Sequence, residues 1–327
     1  MIAVFCLRVN RICAILCAMN YFIAVDIGGT QIRAACYPED KQSPKTIKRI
    51  STQGSDSTPL ERLIHLLESI WPEGNVAGVG VAAPGPLDPF QGIVIEAPNI
   101  PGWVNMPLQH HLEEQFNTPV ALGNDANLAA LGEWKYGAGR GFHHLIYITV
   151  STGIGGGVII DDRLLLGERG LAAELGHVTI LPDGPICSCG QPGHVEAMAS
   201  GPALARWAQQ EIQNGSPSIL PVGKDLTAKD IGEAAKQGDQ VAIAALARSG
   251  YYLGLALANY CQIFNPSAII IGGGVSQTGH FLFNPLKTAL SEHVMSSDYM
   301  KNLTISTAAL GDDVGLMGAL ALAQSLK

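Results

Sequence analysis

The chain has 327 residues, 47% of them hydrophobic and 15% charged, with a net charge of −8. This excludes an intrinsically disordered chain, which could not bury enough apolar surface, and disfavours nucleic acid as a partner, because an acidic surface repels a polyanion. The length leaves room for about one to three domains with cores of their own.

Residues 1–18, MIAVFCLRVNRICAILCA, look like a targeting segment, but Arg8 and Arg11 interrupt an apolar run already too short to span a bilayer. Residues 1–19 are therefore expected to be a leader, either a disordered tail or an artefact of an upstream start. Residues 21–37 read as two apolar runs folded into a hairpin around Gly28-Gly29. Pro59–Ile70 predicts an amphipathic helix, Val76–Ala83 a strand stopped by Pro84, and Gly85–Trp103 a turn-rich stretch with one short strand. Leu108–Phe116 reads as a helix, Pro119–Asp125 as a strand and Asn127–Tyr136 as a second helix. His143–Asp161 repeats the strand–glycine turn–strand pattern.

Helices are expected at Gly201–Ile212, Thr227–Lys236 and Gln240–Cys261. The last lies in the most apolar long stretch of the chain. Arg248, Asn259 and many small residues make it a buried helix and not a membrane span. Ala268–Val275 is a buried strand, and Gly315–Ser325 an Ala/Leu-rich helix. The mixture is α/β throughout, with a domain break near Leu122. The two strand–turn–strand units, about half a chain apart, suggest an internal duplication with a ligand between the halves. Of the seven cysteines, three lie in the leader, Cys36 and Cys261 fall in apolar runs as buried thiols, and Cys187 and Cys189 share a polar loop. That distribution fits a reducing compartment and one metal-capable cluster.

A phosphate oxygen needs backbone N–H donors, which come close only where no Cβ intervenes. Gly28, Gly29 and Thr30, led by Asp26, would supply one such row, and Ser151, Thr152, Gly153, Gly155, Gly156 and Gly157 a second. Neither is a P-loop, since no Gly-Lys-Ser/Thr follows. Neither is a dinucleotide fingerprint, since each leads into a strand. One such turn alone reads as a plain hairpin. Two of them point to a nucleotide clamp, with Asp26 placed to hold Mg2+ directly or through water. A third cluster, Gly272-Gly273-Gly274, is open to three readings: a weak dinucleotide motif, a flat bed for an adenosine, or a tight strand-to-helix turn.

Asn124 and Asp125 fall where a strand ends and a helix begins. An N-cap explains one such residue, but GNDAN holds three, at the strand end where α/β sheets bind ligands. A helix N-terminus favours an ionised carboxylate. Phosphoryl transfer depends on alignment more than on basicity, so an aspartate suffices there as base. Further on, His177, Cys187, Cys189 and His194 supply the four N and S ligands that a tetrahedral structural Zn2+ takes. Glu174 and Glu196 flank that loop, and a pinned loop would aim both at one polyol. His177 would ligate through one ring nitrogen and donate a hydrogen bond through the other.

The motifs DIGGT, APGP, GNDAN, TGIGGG, ELGH, CSCGQPGHVE and GDDVGLMGA occur in an order that resembles the ROK family of sugar kinases and related repressors, and within it the bacterial glucokinase-type kinases. The resemblance runs from Tyr21 to Lys327. It implies a two-domain α/β chain with the actin/hexokinase-like ATPase (ribonuclease H-like) fold, closing over ATP and a sugar. The small domain would span 20–122, completed by a C-terminal helix over 312–327. The large domain would span 123–311 and hold a zinc loop over 177–194.

By the same resemblance, Gly28, Gly29 and Thr30 match the first phosphate loop, Gly153 to Gly157 the second, and Gly272 to Gly274 the adenosine region. Asp125 matches the general base that takes the proton of the sugar 6-hydroxyl. Asn124, Glu174, His177 and Glu196 match residues holding other hydroxyls, and His177, Cys187 and Cys189 match zinc ligands. Two positions depart from the pattern. His194 stands where many relatives carry a third Cys, and imidazole is also a good Zn2+ ligand. Gln31 stands where many carry Lys, which weakens the phosphate field slightly.

The resulting expectation is ATP- and Mg2+-dependent phosphorylation of a hexose, glucose foremost, at its 6-hydroxyl. The enzyme would be a cytoplasmic homodimer, since dimers are common in the family, with no nucleic-acid or membrane partner. Fructose, N-acetylmannosamine and N-acetylglucosamine stay open as substrates, and polyphosphate as donor. The competing class is a sugar-sensing regulator without catalysis. Such relatives carry an N-terminal helix-turn-helix domain, for which residues 1–20 are too few.

Overall fold

The structure, a computed structural model, describes residues 20–223 and 225–327. The expected leader lies outside the described residues. The chain forms two compact units. One takes in the described residues through Leu128 together with Glu168–Leu171 and Asp313–Lys327, and the other comprises Ala129–Gly167 and Ala172–Asp312.

In the first unit the strands are β1 (Asn20–Ile27), β2 (Gln31–Pro38), β3 (Thr46–Ser51), β4 (Asn75–Ala83), β5 (Leu87–Asp88), β6 (Ile93–Glu96), β7 (Val104–Met106) and β8 (Val120–Asn124). The main sheet has the order β3-β2-β1-β4-β8. The β1–β2 and β2–β3 pairs are antiparallel, and β1–β4 and β4–β8 are parallel. β1 and β4 are buried along most of their length, as strands covered on both faces must be.

One cover is the C-terminal helix Val314–Gln324. The glycines of β4 make its close approach possible: a Cβ on Gly78 would stand 3.0 Å from the Ala323 carbonyl, and one on Gly80 would collide with the Ala319 carbonyl. The helix Pro59–Glu68 starts on a capping box, in which Thr58 accepts the Glu61 N–H and the Glu61 carboxylate accepts the Thr58 N–H. The helix Leu108–Phe116 stops at Asn117 in the left-handed conformation.

Where one short strand was expected, residues 85–106 form the small antiparallel sheet β5-β6-β7. Its strands are two to four residues long and separated by Pro and Gly, so no alternating pattern is long enough to read. β3 was not expected at all. It is an edge strand whose exposed Lys48 and Arg49 guard the sheet edge and mask the strand pattern.

The second unit repeats the topology. Its strands are β9 (Leu145–Val150), β10 (Ile154–Ile160), β11 (Arg163–Leu164), β12 (Ala268–Gly272) and β13 (Thr304–Thr307), in the order β11-β10-β9-β12-β13. Again two antiparallel pairs precede two parallel ones. The helix Gln240–Phe264 starts at Asp239, whose Oδ1 accepts the Ala242 N–H at 2.8 Å, and ends at left-handed Asn265. By length and apolar composition it could cross a membrane, yet 61% of its most apolar window is buried inside the protein. It packs against the helix His280–His293 through Gly250 and Gly254. That partner helix contains Pro285, a residue that normally argues against a helix interior.

Candidate active site

Asn124 ends β8, and Asp125 opens the helix Asp125–Tyr136. Asn124 is the cap: its Oδ1 accepts the N–H groups of Ala126 at 3.0 Å and Asn127 at 3.3 Å. Its amide group packs on Gly85, where any Cβ would stand 2.8 Å from Asn124 Nδ2. Asp125 is exposed, with Oδ1 also accepting the Ala126 N–H, at 2.7 Å. The later turns of this helix are anchored by Glu133, a fully buried carboxylate. Its Oε1 accepts the N–H groups of Ala309 at 2.9 Å and Leu310 at 2.8 Å, and its Oε2 that of Ala138 at 2.7 Å.

The first glycine turn joins β1 to β2. The Gly28 N–H is bonded to the Gln31 carbonyl at 2.9 Å, which leaves the amides of Gly29 and Thr30 as the donors this turn can offer. Thr52 braces the turn from β3's end, its N–H on the Thr30 carbonyl at 2.9 Å and its hydroxyl on the Gly28 carbonyl at 2.6 Å. Asp26 sits opposite Arg33 in the β1–β2 register, and Arg33 Nη2 donates to Asp26 Oδ2 at 2.6 Å. Gly315, in the first turn of the C-terminal helix, leaves room for that carboxylate. A Cβ there would stand 2.7 Å from Asp26 Cγ.

In the second unit the bend between β9 and β10 is only Ser151-Thr152-Gly153, closed by the Ser151 N–H on the Gly153 carbonyl at 2.9 Å. Gly155, Gly156 and Gly157 lie within β10, paired with β9, so the row of open amides is shorter than the sequence reading has it. Gly156 serves packing: a Cβ there would stand 2.6 Å from Leu175 Cδ1 and 2.8 Å from the Tyr147 carbonyl.

Ser151 and Thr152 line a cavity of about 790 Å³, together with Gly201, Arg206, Lys229 and Gly274. This volume is in the range of small-molecule sites. Two helices, Gly201–Gln213 and Ala228–Lys236, begin at its wall, and their positive N-terminal ends with Arg206 and Lys229 outweigh the one lining carboxylate, Asp225, in favour of an anion. Of the third glycine cluster only Gly274 faces this space. Gly272 packs against the Tyr147 hydroxyl, and Gly273, at φ 82°, packs against the Val150 backbone.

His177, Cys187, Cys189 and His194 converge, with all four ligand atoms within 4.8 Å of one another. Cys187 Sγ lies 3.5 Å from His177 Nδ1, and Cys189 Sγ lies 3.2 Å from His194 Nδ1. Tetrahedral Zn2+, with bonds of about 2.0–2.3 Å, takes ligand atoms roughly 3.3–3.8 Å apart; the two cysteine–histidine distances lie close to that range, and two thiols with two imidazoles are donor types the ion takes. Burial above all pushes the Cys187 thiol up. Since both rings turn Nδ1 to the thiols, the Nε2 of His177 is left for another partner.

Glu174 caps the short turn Leu175–His177 with its carbonyl, which accepts the His177 N–H at 3.0 Å, while its side chain is exposed and makes no cap bond. The buried Tyr260 hydroxyl donates to the Leu175 carbonyl and fixes the turn. Glu196 is half-buried. Its Oε2 accepts the Ile154 N–H at 2.9 Å, and its Oε1 accepts the Ser188 hydroxyl at 2.5 Å and the Cys187 thiol at 3.3 Å. Burial pushes this carboxyl up, but those donors, with His177 nearby, outweigh it and hold it below the usual carboxylate range.

Sequence reasoning missed Arg33, Arg206, Lys229, Glu133 and Ser188. Only Arg33 carried a signal, because it stands on β2 where the hairpin register meets Asp26.

The sequence profile of the ROK family matches residues 22–326. A glucokinase of Thermotoga maritima is 36% identical over 307 residues, covering 92% of this chain and 96% of that protein. Among solved structures, a ROK family glucokinase from Streptomyces griseus in complex with glucose and AMPPNP is similar with a TM-score of 0.77 at 35% identity, covering 93% of this chain and 99% of that one. The ROK hexokinase from Thermus thermophilus gives a TM-score of 0.80 at 34% identity, covering 93% and 98%.

Proposed function

The chain belongs to the ROK family, with its actin/hexokinase-like fold, and on that premise we propose that it is a hexose kinase that transfers the terminal phosphoryl group of ATP to the 6-hydroxyl of glucose. The observation that carries this reading is the cavity that Ser151, Thr152 and Gly274 share, bordered by two helix N-termini and by Arg206 and Lys229.

In this reading the sugar O6 attacks the γ-phosphorus, the bond from that phosphorus to the bridging oxygen of ADP breaks, and Asp125 accepts the hydroxyl proton. The products are ADP and the hexose 6-phosphate. Asp125 acts chiefly by alignment, as the loose transition state requires. Asn124 caps the Ala126 and Asn127 N–H groups, and Asp125 shares the Ala126 N–H through Oδ1, which orients its carboxylate at the helix start. Asn124, Glu174, His177 Nε2 and Glu196 hold the other hydroxyls. Gly29, Thr30 and the Ser151–Gly153 turn supply phosphate donors, and Gly274 gives the adenosine its flat approach.

Mg2+, when bound with the nucleotide, neutralises charge on the phosphate oxygens. Asp26, paired with Arg33, would hold it, directly or through water. His177, Cys187, Cys189 and His194 would hold a structural Zn2+, which would brace the sugar-binding loop. The enzyme is taken as a cytoplasmic homodimer, without nucleic-acid or membrane partners.

The test is an ADP-release assay with ATP and a panel of glucose, fructose, mannose, N-acetylmannosamine and N-acetylglucosamine. Glucose is expected to give the highest kcat/KM. Absence of turnover on every sugar from zinc-replete protein would overturn the reading, and a higher kcat/KM for another hexose would reassign the substrate.

A further inference from the structure

One carboxylate joins two features that the sequence presents 34 residues apart. Glu196 Oε2 accepts the N–H of Ile154, the first residue after the Ser151–Gly153 turn, at 2.9 Å. Its Oε1 accepts the hydroxyl of Ser188 in the cysteine–histidine loop, the donor that remains there once Cys187 ligates a metal as a thiolate. The approach depends on Gly153, because a Cβ there would stand 2.7 Å from Glu196 Oε2. A second contact supports the same seam: Gly176, next to His177, lies so close to the Ile154 carbonyl that no Cβ could fit. The loop and the turn are thus bonded and packed into one body, and Ser151 and Thr152 at the far side of the turn line the cavity.

We propose that Ser188 is a positioning residue: through Glu196 it fixes the Ser151–Gly153 turn, so that the cysteine–histidine loop sets the affinity of the cavity for a nucleotide di- or triphosphate as well as the shape of the sugar pocket. The nucleotide part rests on the kinase reading, whereas the mechanical part does not. A carboxylate with two oxygens can serve both sides at once, since each oxygen keeps a lone pair for a further donor. Removing the Ser188 hydroxyl frees one end of the carboxylate and loosens its grip on the Ile154 N–H.

The experiment compares wild type, Ser188→Ala and Ser188→Thr, each confirmed to hold the same zinc content, by hydrogen exchange of peptides covering 150–157 and by calorimetric binding of MgADP without sugar. Ser188→Ala is expected to exchange about ten-fold faster at Ile154 and to bind MgADP about three- to ten-fold more weakly, as loss of a bond to a charged group implies, with Ser188→Thr restoring both. Unchanged exchange in Ser188→Ala overturns the coupling, whatever the enzymatic activity. Faster exchange with unchanged MgADP affinity overturns the claim that the turn transmits it to the nucleotide. Failure of the kinase reading shows separately, as wild-type protein that phosphorylates no hexose while the exchange difference persists.

Discussion

Arg33 lies directly across the β1–β2 hairpin from Asp26, and its guanidinium grips the Asp26 carboxylate at 2.6 Å while also reaching Asp313 at 3.6 Å. The Asp26–Arg33 pair is about four-fifths buried on both sides. A largely desolvated pair of this kind matters more through what its removal leaves behind than through its net attraction. Arg33→Ala is expected to lower stability by about 1–3 kcal/mol and to raise the KM for MgATP more than that for glucose. Urea unfolding and two-substrate kinetics check both.

Asp125 offers the most direct test of mechanism. Asp125→Asn keeps the shape and the Oδ1 acceptor for the Ala126 N–H, but cannot take a proton. The expected result is a fall in kcat of about 10²- to 10⁴-fold, with glucose affinity changed little. Single-turnover assays and glucose titration by calorimetry separate the two quantities. Near-normal turnover would remove Asp125 from the base role.

Glu133 is a structural counterpart. It is a buried carboxylate whose hydrogen bonds come from three backbone amides of two separate segments, and Gly137 must lack a Cβ to admit it. Glu133→Ala orphans all three donors and is expected to cost about 3–5 kcal/mol. Glu133→Gln keeps one acceptor oxygen and should cost less. Denaturant midpoints at constant m-value decide between them.

The glycines of the third cluster separate fold from function. Gly273 is held at φ 82° against the Val150 backbone, while Gly274 has open space around its Cα. Gly273→Ala is therefore expected to destabilise by about 2 kcal/mol or more. Gly274→Ala should fold normally but narrow the cavity and raise the KM for ATP. Thermal unfolding and nucleotide kinetics on the pair give the contrast.

The thiols make a further prediction. Burial pushes Cys261 up to about 11 and raises Cys36 as well. At pH 8 only about one Cys261 in a thousand is a thiolate, so neither residue should react with iodoacetamide in the folded protein. After chelation of the metal, Cys187 and Cys189 should alkylate, with exposed Cys189 the faster. Peptide mass spectrometry reads each site, and labelling should extend to Cys36 and Cys261 only after unfolding.

Local chemistry was legible in the sequence, and register was not. The helix Leu108–Phe116 and the cap at Asn124 announce themselves through residues a few positions apart. The cysteine–histidine cluster does so through residue types alone, because two Cys and two His at close spacing in a Pro/Gly loop converge as a metal-ligand set would. By contrast, nothing in TGIGGG tells the turn glycine Gly153 from the packing glycine Gly156. That distinction is set by where β9 and β10 pair and by Leu175 arriving from elsewhere. The helix His280–His293 was hidden by Pro285, and the bond between Glu196 and Ile154 by the 42 positions that separate them.

The helix Val314–Gln324 closes on strands formed by some of the earliest described residues, with Ala319 and Ala323 lying against Gly80 and Gly78. During translation the first sheet must therefore wait, uncovered on that side, until residues 314–324 have left the ribosome. A nascent chain stalled before residue 313 would leave β1 and β4 as a bare apolar face, the kind of surface that chaperones grip.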